Sequence, residues 1–264
     1  MTNAIVRPLF LPRFRGAAFA VWRRNTLVWR KLMLPSIFIN FGEPLLYLLG
    51  LGYGLGMFIG EMMHMPYLTF LASGILASSA MNTASFEAMF SVYTRMIPQK
   101  TYEAILATPL EVQDIFAGEM LWCATKCIFS GSAILAVAAL LGAVHTWQAL
   151  WVPPVLFLVG LCFSGLGLIM TALAPGYDFF NYYVTIVLTP MFILSGVFYP
   201  VTSLPAALQS IVQLLPLVHA VDLIRPLVAG LPLNHVPLHL AVLAGYGTAA
   251  YLIAVRLARR RLLV

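Results

Sequence analysis

Three ionisable side chains interrupt long apolar stretches of this sequence: Glu43, Glu87 and Lys126. An ionised group is costly in hydrocarbon, so such a residue is a functional candidate by default. Glu87 and Lys126 carry opposite charges and can form an internal ion pair. Two interpretations remain open for these residues: either they position helices as a paired unit, or they contact a substrate directly.

Two further polar groups fall in apolar segments. Asp222 and Arg225 stand three residues apart, a spacing that makes them neighbours on one helix. We predict that they brace their segment, and contact with transported cargo is the alternative. The other group comprises Tyr177, Asn181, Tyr182 and Tyr183. Either its members line an entrance for an amphiphile with a sugar head group, or they form an aromatic belt at the membrane surface.

The motifs of ATP hydrolysis and of hydrolytic catalysis do not occur. A phosphate-cradling loop needs G-x-x-x-x-G-K-[ST], whereas Lys31, Lys100 and Lys126, the only lysines, follow Arg, Gln and Thr. H-E-x-x-H and G-x-S-x-G are also missing. The three cysteines lie in apolar surroundings and are interpreted as small buried residues. We therefore expect no catalytic residue, metal site or cofactor in this chain; any ATP and Mg²⁺ belong to another polypeptide.

The composition indicates a membrane protein. Apolar residues make up 61% of 264, charged residues 9%, and the mean hydropathy is +0.93. A soluble domain carries about 25% charged residues. Long apolar runs favour helices over the short alternating strands of a barrel. We predict an all-α integral membrane protein, surrounded by membrane lipid, with six transmembrane helices at residues 34–59, 67–93, 115–142, 150–173, 179–198 and 237–258.

The distribution of Lys and Arg predicts the orientation. Residues 1–33, 94–119 and 256–261 hold thirteen of the fifteen cations, and the loops at 60–66 and 143–149 hold none. Cytoplasmic loops are enriched in Lys and Arg. We therefore expect a multi-pass protein of the inner (plasma) membrane with both termini in the cytoplasm, including a tail at 259–264.

Two segments are predicted to contact the membrane without crossing it. In the N-terminal region 1–33, cations between Arg13 and Lys31 lie outside an apolar stripe that includes Trp22 and Trp29, which favours an interface helix over a soluble amphipathic helix. Prolines divide residues 199–230 into pieces of about half a bilayer in length. A single crossing there would also place the last arginine cluster outside the cell. We predict a re-entrant helical hairpin that enters and leaves at the outer face.

The loop at 97–119 is the most charged internal segment. Pro98 can open a short helix that ends near Thr108, and Thr108 to Glu111 has the sequence of a capping box for the next helix. The predicted short helix, residues 99–107, is apolar and acidic, which suits docking into a groove of a cytoplasmic partner. A simple connector is the alternative. The residues assigned to docking are Gln99, Thr101, Tyr102, Glu103, Ile105 and Leu106.

The same loop carries a family resemblance. The run from Tyr102 to Lys126 resembles the permeases of ABC type-2 (ABC-2) exporters, and is most similar to the NodJ-like branch associated with lipo-oligosaccharide export. Phe192–Pro200 and Leu215–Pro226 resemble the late signature of that family. The resemblance covers nearly the whole chain in order and length.

This resemblance implies an arrangement of partners. Two permease copies would pair with two cytoplasmic ATPase subunits, with residues 99–107 as the coupling helix and no nucleic-acid partner. The regions near Glu43 and Phe179–Phe198 are our hypothesis for the interface between the permeases. The implied function is export of an amphiphilic glycolipid, and a drug or small-hydrophobe efflux permease is the alternative. An ion-coupled secondary transporter would need inverted repeats, and a membrane-embedded enzyme would need clustered catalytic groups.

Overall fold

The computed structural model describes residues 16–31, 42 and 44–263, and these residues form an almost entirely helical structure. A two-stranded antiparallel ribbon joins α2 to α3, with β1 at Glu61–Met62 and β2 at Met65–Pro66. The helices are α1 (Ala17–Arg30), α2 (Pro44–Ile59), α3 (Tyr67–Phe86, continued through Glu87–Ser91 and Val92–Met96), α4 (Thr101–Leu106), α5 (Val112–Leu140), α6 (Val152–Leu173), α7 (Asp178–Leu194), α8 (Ala206–Val212), α9 (Pro216–Ala229) and α10 (Val236–Leu262).

Within the described ranges, three helices are long and apolar enough to cross a membrane. They are Val112–Leu140, Trp147–Leu173 (α6 with the 3₁₀ turn before it) and Val236–Leu262. Helices α2 and α7 are apolar but shorter, and α8 and α9 meet at an angle of 89°. That bend has the geometry either of a broken span or of a hairpin that returns to the same face. An all-helical membrane protein is therefore confirmed at this level, with three clear spans, or four if the bent pair counts as one.

Helix α3 occupies the centre of the bundle, and this position explains its composition. Nearly all of its side chains between Tyr67 and Phe86 are buried, including Ser73, Ser78 and Ser79. It packs against α5, α6 and α9. A helix surrounded by protein rather than lipid can carry small polar residues, and small residues allow close helix packing.

One close helix contact holds α1 against the bundle. A Cβ atom at Gly118 of α5 would lie 2.5 Å from the carbonyl oxygen of Ala18 and 2.6 Å from the Cβ of Val21. Only glycine leaves room for the backbone of α1 at this point. A helix, α1, is present in the predicted interface region, and its residues Ala18, Val21 and Asn25 are buried. Contact of α1 with a membrane surface stays a prediction.

The start of α5 differs from the sequence prediction. The helix begins at Val112, not at Pro109, and Glu111 and Asp114 form the capping box. The backbone N–H of Glu111 donates to Asp114 Oδ2 at 3.0 Å. The predicted box at Thr108 was wrong because the Thr108 hydroxyl instead donates to the carbonyl of Ile105, at 2.6 Å, and so ends α4.

Candidate functional site

Four charged side chains form a buried cluster where α3 and α5 approach α4. We call Glu87, Arg95, Glu119 and Lys126 the four-charge cluster. Lys126 Nζ lies 2.9 Å from Glu87 Oε2, and Arg95 Nη2 lies 2.8 Å from Glu119 Oε2 and 3.5 Å from Glu87 Oε1. Glu119 is fully buried and Glu87 is 8% exposed. Two carboxylates and two cations make the cluster neutral, and the predicted pairing of Glu87 with Lys126 is confirmed.

Uncharged donors complete the coordination of both carboxylates. Glu87 accepts hydrogen bonds from Trp122 Nε1 at 3.0 Å and from the Ser91 hydroxyl at 2.9 Å. Glu119 accepts from Asn25 Nδ2 and from the Tyr102 hydroxyl, both at 2.8 Å. Buried ion pairs are stable only when their remaining hydrogen-bonding positions are also satisfied. The network therefore connects α1, α3, α4 and α5 through two carboxylates.

Local backbone features aim these side chains at one another. A π-helical turn at Glu87–Ser91 interrupts α3, and it places the Ser91 hydroxyl on the Glu87 carboxylate. Such turns within helices recur at functional sites. The chain then reverses into α4 through Lys100, whose φ of +49° is left-handed. This reversal brings Tyr102 back onto α5.

The residues of α4, and Gln99 just before it, divide into buried, half-buried and exposed side chains. Tyr102 is fully buried. Burial, followed by the negative charge of Glu119, raises the pKa of Tyr102 well above its usual value. The phenol therefore stays protonated and donates to Glu119. Glu103 and Gln99 are exposed, while Thr101, Ile105 and Leu106 are half-buried. Sequence reasoning put Tyr102 with the docking residues, but the structure places it inside, as the link between α4 and the cluster.

Two cavities flank the Glu87–Lys126 pair. The first, of about 350 Å³, runs along α3 between α2 and α7 and combines hydroxyl and amide groups with aromatic rings. The second, of about 320 Å³, lies between α1 and the ends of α3 and α5. Both include Glu87, Ser91 and Lys126 in their walls. The first cavity is lined by Tyr47, Ser78, Ser79, Asn82, Thr83, Phe86, Phe90 and Phe192, among others.

The polar aromatic group before and within α7 is split by the structure. The Tyr177 hydroxyl lies 2.8 Å from Thr94 Oγ1, and its ring packs against Tyr93 with centroids 5.0 Å apart. Tyr183 is buried, whereas Asn181 and Tyr182 are exposed on the outside of α7. Tyr177 thus contacts the end of α3 that carries the four-charge cluster.

A second buried cation lies at the opposite end of α3. Arg225 of α9 donates from Nε to Ser73 Oγ at 3.1 Å and from Nη2 to the Gly196 carbonyl at 2.6 Å. Its guanidinium group sits 3.7 Å from the centre of the Phe70 ring. Arg225 thus ties α9 to α3 and to the turn after α7. Asp222, its predicted partner, is exposed and lines a separate cavity of about 940 Å³.

That larger cavity contains a histidine pair that sequence reasoning did not single out. His219 Nδ1 and His239 Nδ1 lie 2.8 Å apart, and His219 Nε2 lies 2.9 Å from the carbonyl of Gln213. A carbonyl accepts only, so Nε2 of His219 carries the proton. Across residues 16–31, 42 and 44–263, no group of three or more His, Cys, Asp or Glu residues could hold a metal ion.

Sequence reasoning also missed Arg95, Glu119, Asn25 and Trp122. Arg95 and Glu119 fall in the charged segment between two apolar runs, where charges are normally solvated. The available signal was that Glu119 is only seven residues before Lys126, in a helix that continues into an apolar span. Glu43, the remaining candidate, lies outside the described residues.

The comparisons with known proteins agree with this architecture. Residues 17–228 match the family model described as ABC-2 type transporter. The chain is 48% identical to nodulation protein J of Rhizobium leguminosarum bv. viciae over 244 residues, covering 92% of this chain and 94% of that protein.

Two other relatives extend the comparison. Identity to nodulation protein J of Rhizobium meliloti is 46%, covering 92% of this chain and 93% of the relative. Identity to the inner membrane transport permease YadH of Escherichia coli is 29%, covering 88% of this chain and 89% of that protein. With a family match over most of its length and relatives above 40% identity along nearly all of both chains, this protein belongs to the ABC-2 type transporter family.

Proposed function

We propose that this chain is the permease subunit of an ABC exporter that moves an amphiphilic lipo-oligosaccharide or glycolipid outward across the inner membrane. The observation that carries this proposal is the 42–48% identity to six nodulation J proteins over 92% of the chain. The ATP is hydrolysed, with Mg²⁺, by two copies of a separate cytoplasmic subunit. A second copy of the permease completes the complex.

The proposed topology has six crossings and both termini in the cytoplasm. Helices α2, α3 and α7 provide the three crossings besides the clear spans α5, α6 and α10. Helices α8 and α9 form the re-entrant hairpin at the outer face. The arginines at the end of α10 and the basic residues of α1 then lie on the cytoplasmic side, in agreement with the enrichment of cations there.

In this proposal α4 is the coupling helix. Its exposed Glu103, together with Gln99 just before the helix, contacts the ATPase, and its buried Tyr102 contacts the four-charge cluster. Movement of the ATPase shifts α4, and the Tyr102–Glu119–Arg95 hydrogen bonds carry the shift to α5 and α3. A fully hydrogen-bonded network is suited to this role because a shift of one member disturbs its partners.

The cavity along α3 is the proposed site for the sugar head group. Hydroxyl and amide side chains such as Ser79, Asn82 and Thr83 can hydrogen-bond to sugar hydroxyls, and Phe86, Phe90 and Phe192 offer flat apolar faces. Binding sites typically combine an apolar wall with a few polar groups that fix orientation. A cavity beside α2 and α7 is also adjacent to the proposed permease interface.

Charge reversal on α4 tests the coupling assignment. Glu103→Arg is compared with Glu61→Arg, which makes the same change at another exposed residue, in the β-ribbon at the far end of α3. We expect Glu103→Arg to reduce co-purification of the ATPase subunit and export together, and Glu61→Arg to change neither. Equal retention of the ATPase by both variants would contradict docking at α4.

The substrate class is tested by lipid analysis of cells that lack this chain. A glycolipid that accumulates in the inner leaflet and disappears on complementation supports the proposal. Asn82→Leu should then reduce export while leaving ATPase co-purification unchanged. If deletion instead changes only sensitivity to small hydrophobic drugs, the glycolipid assignment is wrong.

A further inference from the structure

Three side chains that line the cavity between α1 and the ends of α3 and α5 each have a hydrogen-bond donor without an acceptor. The donors are Arg24 Nη1, Trp29 Nε1 and Arg95 Nε, each buried and without a hydrogen-bond partner among the described residues. All three side chains line this one cavity of about 320 Å³. A buried donor without a partner is unfavourable, so three on the wall of one cavity point to an acceptor supplied by a ligand.

The nearby carboxylates are already occupied by other donors. Glu87 already accepts hydrogen bonds from Trp122, Lys126 and Ser91. Glu119 accepts hydrogen bonds from Asn25, Arg95 and Tyr102. Trp29 is also unable to turn toward another partner, because its ring stacks on Phe129 at 5.3 Å and meets Trp122 edge-on at 5.8 Å. The Trp29 N–H is therefore held in place beside the cavity.

The charge balance identifies the sign of the missing group. The four-charge cluster is neutral, and Arg24 adds a positive charge with no carboxylate within ion-pair distance among the described residues. The cavity wall itself has three cations, Arg24, Arg95 and Lys126, against the single carboxylate of Glu87. An anion with several acceptor oxygens matches both the charge and the donors. Phosphate has this chemistry, and guanidinium groups bind it well.

We propose that this cavity is a phosphate-binding site that receives the head group of an anionic phospholipid. Exposed apolar side chains at and beside the cavity favour a lipid as the source of the phosphate. Val28 lines the cavity and is 54% exposed, and Phe129, which stacks on Trp29, is 50% exposed. Basic pockets between membrane helices bind anionic head groups in this manner. The site goes beyond the proposed export function, since it needs neither ATP nor the exported substrate.

A bound phosphate would join α1 to the four-charge cluster. Arg24 and Trp29 belong to α1, and Arg95 belongs to the end of α3 that precedes α4. The lipid would thus lock the interface helix onto the same end of the bundle that Asn25 already contacts through Glu119. We expect phosphatidylglycerol to stabilise the chain, whereas zwitterionic phosphatidylcholine should not.

The experiment is a titration of short-chain phosphatidylglycerol into the full chain, in the oligomeric state in which it purifies, with bound lipid counted by native mass spectrometry. Arg24→Gln is compared with Arg23→Gln, which removes the same charge from the exposed neighbour on α1. We expect Arg24→Gln to weaken binding about tenfold, the equivalent of about 1.4 kcal/mol. Arg23→Gln should stay within about twofold of the unmodified chain.

Trp29→Phe provides an independent variant because it keeps the aromatic stacking and removes only the N–H. It should weaken binding about threefold, in the range of one lost hydrogen bond. Equal affinity of Arg24→Gln and Arg23→Gln for phosphatidylglycerol would overturn the proposal, as would equal retention of phosphatidylcholine and phosphatidylglycerol by the unmodified chain.

A second titration, with inorganic phosphate, shows whether the site binds free phosphate or only the phosphate of a lipid head group. If phosphate alone raises the melting temperature of the unmodified chain but not that of Arg24→Gln, the site also accepts free phosphate. If only phosphatidylglycerol does so, the site is specific for a lipid head group. Either result supports a phosphate site at Arg24, and stabilisation of both chains to the same extent contradicts it.

Discussion

The two ends of the bundle each bury an arginine, but they satisfy it in different ways. Arg95 meets two carboxylates, those of Glu119 and Glu87. Arg225 meets a serine hydroxyl, a backbone carbonyl and the face of Phe70, with no carboxylate within ion-pair distance among the described residues. At the first end charge is cancelled between α3 and α5, and neutral donors from α1 and α4 complete the network. At the second end the positive charge of Arg225 has only neutral partners, and the arginine connects α9 to α3 and to the turn after α7.

This difference predicts unequal consequences of mutation. A charge in a buried ion pair becomes very costly when its nearest partner is removed. An arginine held by neutral groups leaves only neutral groups behind when it is replaced. The following changes test that contrast in order of decreasing effect.

The largest effect is expected from Glu119→Gln. The variant keeps the side-chain shape but leaves Arg95 without its nearest carboxylate, and one of the three donors to Glu119 then faces an amide N–H₂. We expect the free energy of unfolding in detergent to fall by about 3–5 kcal/mol. The control is Glu103→Gln on the exposed face of α4, which should change stability by no more than about 0.5 kcal/mol.

A double variant shows whether the loss comes from the unpaired charge. Arg95→Met combined with Glu119→Gln removes both members of the pair. It should be more stable than the sum of the single effects predicts, because residues in contact couple. Simple additivity would mean that Arg95 finds sufficient compensation elsewhere.

Arg225→Met at the other end of the bundle should lower the free energy of unfolding by less than Glu119→Gln does, by about 3 kcal/mol. Two hydrogen bonds to a charged donor are lost, each worth about 1.5–3 kcal/mol, and the burial of a methionine side chain partly offsets them. The measurement is the same unfolding titration. A cost equal to or above that of Glu119→Gln would remove the distinction between the two ends.

The sequence was sufficient to predict the helical membrane class and the presence of most helices. Long apolar runs determine that class, since lipid demands internal backbone pairing. Prolines marked the break between α8 and α9. The sequence did not locate the boundary of α5, because a capping-box pattern at Thr108 competes with one at Glu111 and only the tertiary contacts of α4 decide between them.

The candidate site was predictable only where apolar surroundings made a charge unusual. Glu87 and Lys126 were identified in this way, and their pairing followed from their signs. Arg95 and Glu119 were not identified, since they belong to a charged loop in the sequence. Their burial results from the reversal at Lys100, which folds α4 back onto α5. Asn25 could be assigned to the site only if the contact between α1 and α5 were known. A single glycine at position 118 is not enough to predict that contact from the sequence.

The contact of Gly118 with α1 gives a further prediction of smaller effect. Gly118→Ala places a methyl group 2.5 Å from the Ala18 carbonyl oxygen, so α1 must move away from α5. Overpacking of this kind costs about 1–3 kcal/mol. Gly245→Ala in α10 is the matched control, because no atom lies within 4 Å of the added methyl group. It should stabilise the chain by about 0.5–1 kcal/mol through helix propensity.

The smallest effect is expected from Tyr102→Phe, which removes one uncharged donor from the four-charge network. Glu119 keeps its hydrogen bonds to Arg95 and Asn25, so the unfolding free energy should fall by only about 1 kcal/mol.

The raised pKa of Tyr102 also determines the pH range over which this hydrogen bond stabilises the chain. A pKa that is higher in the folded than in the unfolded state gives stability that is fully present below the unfolded value, about 10, and is lost above it. Unfolding titrations of both chains at neutral and at alkaline pH should therefore show a difference that shrinks only above about pH 10. A loss as large as that of Glu119→Gln would mean that the phenol, rather than the paired charges, holds α4 against the bundle.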